Sequence, residues 1–256
     1  MTIHTAARRI PRGEVLAPGR GLVYDLLGRA APELGQALHT DGWGRFGMVP
    51  FGYSGPAFPA AGRPGPAGLP STGPGILEIG SPLPAVAEGI RAGLDRLPVI
   101  AWGATAFHVT GVEEVPAPDF ADGVALLRTV TPAVMKGGGF NATKNRAARA
   151  TPGEPRQGWL LPGEVSWDAY TAQNLVRKAR TLDLPEGVRL EAVTWVGPRA
   201  SFVTGGGGNR GGKPGAHVEV RVAGDPVTLR ALWAWGIGQA NSSGFGWVRA
   251  VEEARG

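Results

Sequence analysis

The segment Gly236-Ile237-Gly238-Gln239-Ala240-Asn241-Ser242-Ser243-Gly244-Phe245-Gly246 sets two pairs of glycines around a short polar run. Glycine has no Cβ and tolerates positive φ, so a loop of this kind can lie flat against a ligand and turn its amides outward as a nest for anions. The residues before it read as a helix: Asp225 as cap, Pro226 in the first turn, then Val227 to Trp235. The residues at its far end, Phe245 to Val251, alternate as a strand does. The loop is not a dinucleotide fingerprint, because Asn241 stands where a third glycine is needed and a strand comes next in place of a helix. The run Gly207-Gly208-Asn209-Arg210-Gly211-Gly212-Lys213 comes near a P-loop. There Pro214 replaces the Ser or Thr that would hold magnesium, and Val218 to Val222 reads as a strand.

Along its length the chain repeats one order of elements. Residues 2–10 read as a strand and residues 20–39 as a helix, with Leu22, Val23, Leu26, Leu27, Leu34 and Leu38 on one side and an interruption at Pro32. Two short strands come next at 46–54 and 75–79, then a helix over 82–97 and a strand over 98–115. After a hinge at Pro116-Ala117-Pro118 the order restarts: a strand from 124, a polar glycine-rich insertion at 137–165, a helix over 167–182, a strand pair at 188–204 and 216–223, the helix at 226–235 and the last strand. The reading is α+β: two tandem ferredoxin-like (βαββαβ) domains, residues 1–116 and 117–256.

The 256 residues are 43% hydrophobic, enough for packed cores, while 42 glycines and 23 prolines imply long loops. The absence of cysteine excludes disulfides, thiolate nucleophiles and cysteine-ligated zinc. A net charge of +5 suits a polyanionic partner. No apolar run has membrane-spanning length and Met1-Thr2-Ile3-His4 shows no signal-peptide pattern, so the expectation is a soluble cytoplasmic protein without a membrane partner.

Of four histidines, His39 stands out, at the end of the first helix and before the loop Thr40-Asp41-Gly42-Trp43-Gly44-Arg45. Imidazole gives and takes a proton near neutral pH, although a histidine at a helix C-terminus also serves simply as a cap. Tyr24 lies 15 residues earlier, which in an unbroken helix is about 22 Å along the axis; a break at Pro32 changes that distance. Arg45 is within loop reach of His39. His4, His108 and His217 fall in strand patterns and read as structural, with His4 able to face a ligand.

The glycine loop at 236–246, the doubled ferredoxin-like order and a histidine after the first helix resemble the CRISPR-associated repeat-processing endoribonucleases, the Cas-six family of the RAMP group. Tyr53-Ser54, Thr131-Pro132 and Asn174-Leu175-Val176-Arg177-Lys178 match further family features. The resemblance implies an endoribonuclease that cuts CRISPR precursor RNA within its repeats without a metal or other cofactor. In that family the 2′-hydroxyl attacks the adjacent phosphate and leaves a 2′,3′-cyclic phosphate and a 5′-hydroxyl. Some members use Tyr, His and Lys; here Tyr24 and His39 match, and Arg45 stands where the lysine is expected. Arginine keeps the charge but is a poor proton donor.

The chemistry of RNA agrees with those roles, since RNA carries its own nucleophile and a cation beside the phosphate stabilises developing charge. The residues expected to hold RNA are Gly236, Gly238, Asn241, Ser242, Ser243, Gly244 and Gly246 of the loop, with Lys136, Lys144, Arg146, Arg149, Arg177, Lys178, Arg210, Lys213 and Arg249. Singly, each basic residue also reads as a solvated surface charge. Two alternatives stay open. One is a non-catalytic RAMP subunit that binds CRISPR RNA with other Cas proteins in an effector complex; the other is an unrelated α+β enzyme with a small anionic ligand on its glycine loop.

Overall fold

The computed structural model describes residues 1–137, 158–203 and 212–251. In the N-terminal half, β1 (Thr2–His4) leads to two helices, α1 (Gly19–Ala30) and α2 (Pro32–Thr40). Pro32 can open a helix but cannot continue one, and Ala31 takes φ −145° and ψ 63°, so the run splits there. Beyond α2 lie short strands β2 (Gly52–Tyr53), β3 (Gly75–Ile76) and β4 (Ile79–Gly80), then α3 (Pro84–Leu94), β5 (Val99–Trp102) and β6 (Thr105–Gly111). The sheet order is β3-β1-β6-β5, all antiparallel, with β2 and β4 paired separately.

This differs from the expected order in two respects. The stretch at 98–115 is a hairpin and not a single strand: Trp102 pairs with Thr105 across a two-residue turn whose Gly103 has φ +60°. Of the three short strands β2, β3 and β4 before α3, only β3 joins the main sheet. Counting the strands of the main sheet, the N-terminal half therefore runs β-α-α-β-α-β-β, with its hairpin after the last helix.

The C-terminal half keeps the expected order: β7 (Val124–Thr129), α4 (Val165–Thr181), β8 (Arg189–Val203), β9 (Gly212–Ala223), α5 (Pro226–Trp235) and β10 (Val248–Ala250). Its sheet is β8-β9-β7-β10, antiparallel throughout. Asp225 caps α5 by accepting from the Val227 amide at 2.9 Å, as its place before Pro226 predicts.

Each half packs its own core. Val23, Leu26, Leu27, Phe51, Trp102 and Phe107 centre the first; Leu127, Trp167, Leu175, Val220, Leu229 and Leu232 centre the second. The seam between them is also packed. Trp235 donates its indole N–H to Val49 O at 3.0 Å, and Trp247 donates to Glu78 Oε2 at 2.8 Å. At Gly80, where an added Cβ would stand 2.7 Å from the Trp247 ring, the absence of a side chain lets that ring close against β4. Among the described residues no helix is long and apolar enough to cross a membrane.

Candidate active site at the seam

The break at Pro32 makes the site. Because α2 folds back on α1, the ring centres of Tyr24 and His39 come within 4.9 Å, edge to face at 82°. An unbroken helix would hold them about 22 Å apart. Tyr24 is fixed by Phe51, ring centre to ring centre at 5.6 Å, and by its hydroxyl, which donates to Leu38 O at 3.4 Å. Burial raises the phenol above its ordinary value of 10.0, against a smaller opposing effect of the Arg20 charge and hydrogen bond. At neutral pH Tyr24 is therefore a donor and not a base. His39 is exposed at the end of α2.

The cation beside this pair is Arg20, a residue that motif and spacing do not single out. Arg20 precedes Tyr24 by one helical turn, and its guanidinium carbon is 5.5 Å from the Tyr24 ring centre. Arg45 sits elsewhere, on the one-turn 3-10 helix Gly44–Phe46. Its guanidinium carbon and that of Arg177 are each 4.7 Å from the Phe46 ring centre. Arg45 also lines a surface pocket with Arg180, Asp183 and Glu186. The guanidinium over the Tyr24 ring is that of Arg20, while the guanidinium of Arg45 packs on Phe46 together with Arg177 of α4.

The glycine loop reaches the site from the other half. Tyr53 is the hinge pin: it is buried, donates to Leu16 O at 2.9 Å, and its ring lies against both Gly19, where α1 begins, and Gly244. An added Cβ at Gly244, where φ is +83°, would stand 2.6 Å from that ring. The ring centre of Phe245, next in the chain, lies 5.6 Å from Lys213 Nζ. Lys213 stands near the start of β9, and its ammonium is lowered from the ordinary lysine value by burial first and then by the positive charge of Arg20. His39, Tyr24 and Arg20 thus stand on one side of the seam and Lys213 with the loop on the other, with the Tyr53 ring between Gly19 and Gly244.

The loop itself is not the outward-facing nest expected of it. Of its eleven amides, those of Gly236, Ile237, Gln239, Ser243, Gly244, Phe245 and Gly246 donate to backbone carbonyls. Asn241 is its internal brace: the side-chain amide donates to Ile237 O at 3.0 Å and Phe245 O at 2.9 Å, and Oδ1 accepts from Lys178 Nζ at 2.7 Å. Lys178 also donates to Gly236 O at 2.5 Å and lies 4.8 Å from the Trp235 ring centre. Gly236, Gly238, Asn241, Gly244 and Gly246 are buried, and of the loop residues expected to bind only Ser242 and Ser243 are half-exposed.

The expectation for Lys178 is corrected as well. It is 0% exposed, and burial holds its ammonium well below the ordinary lysine value, so it braces the loop from within and presents no surface to a ligand. Arg249 is exposed but bound to Glu78, with its terminal nitrogen 2.8 Å from Oε1; this ion pair ties β10 to the N-terminal half. Lys136 is exposed on the short strand Met135–Lys136. Lys144, Arg146, Arg149 and Arg210 lie outside the described residues. His4 and His108 face each other across β1 and β6, and His217 Nδ1 is 3.3 Å from Thr129 O. Among the described residues no three His, Asp or Glu side chains gather in a way that could hold a metal ion.

The class these features define is a tandem ferredoxin-like α+β protein with a Tyr–His–Arg cluster at the seam of its halves. Solved structures share this fold over nearly the whole chain. One is described as a RAMP protein binding different RNA substrates, with a TM-score of 0.76 and 14% identity over 98% of both chains. Another is the product of a Cas6-related gene from Pyrococcus furiosus, at 0.73 and 15% over 99% of both. A third is a CRISPR-associated protein Cas6, at 0.70 and 20% over 98% of this chain and 97% of that one. The chain has the double ferredoxin-like fold of Cas6 and RAMP proteins. No protein-family model matches the sequence, and no curated protein does.

Proposed function

We propose that this chain is a repeat-processing endoribonuclease of the Cas-six family, which cuts CRISPR precursor RNA at a phosphate placed against His39, Tyr24 and Arg20. The observation that carries the reading is the 4.9 Å approach of Tyr24 and His39 produced by the break at Pro32, with Arg20 beside them. In the step proposed, the 2′-oxygen bonds to phosphorus as its proton leaves. The bond from phosphorus to the 5′-oxygen breaks, and that oxygen takes a proton. The products are a 2′,3′-cyclic phosphate and a 5′-hydroxyl. His39 moves a proton, the protonated Tyr24 donates a hydrogen bond, and Arg20 offsets charge on the phosphorane. The role sought for Arg45 passes to Arg20, and no metal takes part.

The test is cleavage of a labelled repeat RNA in EDTA. Wild type cuts, a 2′-deoxy at the cut site blocks the reaction, and His39→Ala slows it about 10²–10⁴-fold, the usual worth of a positioned proton-transfer group. Full activity in His39→Ala removes this site. The packing of the Arg45 guanidinium on Phe46, in the place where the family has a lysine, favours a second reading, a subunit that binds CRISPR RNA among other Cas proteins without cutting it. Tight binding with no cleavage by wild type would establish that one.

A further inference from the structure

Arg20 and Lys213 come from opposite halves of the chain, one from the first turn of α1 and one from β9. Both are partly withdrawn from water. Gly19, which precedes Arg20, and Gly244, which precedes the Phe245 that Lys213 covers, lie against the same Tyr53 ring, so both cations stand at one junction. Among the described residues neither has a carboxylate partner, whereas Arg29, Arg91, Arg128, Arg180, Arg189, Arg221 and Arg249 all do. Lys213 lies over the Phe245 ring and Arg20 over the Tyr24 ring, and an aromatic face carries no full counter-charge. Two like charges held together in a lowered dielectric repel, and an anion between them reverses the sign of the interaction.

We propose that Arg20 and Lys213 form a single phosphate subsite bridging the two halves, filled by a backbone phosphate of the bound RNA. This rests on the reading of the chain as an RNA-binding protein and not on cleavage. Bound RNA then joins N- and C-terminal halves through one charged group, at the point where the glycine loop meets α1.

The test uses K213M, R20M, the double variant and the conservative K213R, with a repeat RNA made uncleavable by 2′-deoxy substitution. Without RNA, K213M melts at or above wild type, because a repulsion is removed; a purely structural lysine would give the opposite sign. With RNA, log K against log salt becomes shallower by about 0.7 in K213M, the share of one phosphate on a single strand, and K213R keeps the wild-type slope. The two single losses of affinity exceed the loss in the double variant when summed, because both side chains hold the same group. An unchanged slope, strictly additive losses, or a melting point lowered by several degrees in K213M overturns the proposal. Inorganic phosphate at matched ionic strength forms a second arm. Stabilisation of wild type but not K213M by phosphate, with equal RNA slopes, would assign the subsite to free phosphate and overturn the RNA assignment. If wild type binds but does not cut and the slope still depends on Lys213, the cleavage reading falls and this subsite stands.

Discussion

Replacing Asn241 by Ala tests how the glycine loop is held. The substitution removes the acceptor of Lys178 Nζ and the donor to Ile237 O and Phe245 O, all in a site where Asn241 is 5% exposed. An unsatisfied buried group costs about 1–3 kcal/mol, and partial entry of water keeps each of the three near the lower part of that range. The expected loss is on the order of 3–6 kcal/mol, which for a chain of this size lowers Tm by about 10–20 °C. Thermal unfolding by circular dichroism reads it. Lys178→Met alone is also destabilising, since it strands Gly236 O and Asn241 Oδ1. The double variant, however, never leaves a buried ammonium short of one of its two acceptors, so its loss falls short of the sum by about 1–2 kcal/mol. A Tm shift below about 3 °C for Asn241→Ala, or strict additivity, would refute the account of the loop as braced from within.

The same contacts set three further outcomes. Arg20→Ala lowers cleavage about 10²–10³-fold, the range for a lost transition-state charge partner, while Arg45→Ala stays within about threefold; the reverse ranking in single-turnover assays would return the cation role to Arg45. Glu78→Ala frees Arg249 and leaves the Trp247 indole N–H unpaired; with the exposed ion pair discounted, about 1–3 kcal/mol is lost, and calorimetry shows a Tm lower by about 3–8 °C. The folded-state value of Lys178 is lowered, so between that value and about 10.4 the unfolded chain binds more protons and stability rises with pH. Urea unfolding at pH 7 and 9.5 should show this gain in wild type and a smaller one in Lys178→Met; equal gains would contradict a buried ammonium with a depressed proton affinity.

How far the sequence can be read depends on whether a signal is local. The Asp225-Pro226 start of α5 and the break at Pro32 are local chemistry, and both stand where the residues place them. Tyr24 and His39 are also legible, but their contact requires knowing that α2 folds back. The hairpin at 98–115 hides because alternation continues through Trp102-Gly103-Ala104-Thr105, and only the left-handed Gly103 marks the turn. Lys178 misleads because Arg177, Lys178 and Arg180 look like a solvated face. The usable signal is the polar stripe Thr171, Asn174, Lys178 and Thr181 at helical spacing, every member of which is buried. Arg20 escapes for a different reason: a third charge is naturally sought after His39, although a residue one turn before Tyr24 shares its helix face. The nearness of Lys213 to Arg20 joins positions far apart in sequence, and no local pattern encodes it.

The fit of Trp235 and Trp247 against the bare backbone of Gly52 and Gly80 restricts how such a chain can vary. Any side chain at either glycine would strike an indole ring or a carbonyl of the opposite half. The two units therefore cannot be exchanged as independent parts. A chimera that takes its first half from one relative and its second from another needs Gly52, Glu78 and Gly80 to arrive together with Trp235, Trp247 and Arg249. Drift on one side of the seam is tolerated only with a matching change on the other, so these six positions should behave in recombination as a single inherited block.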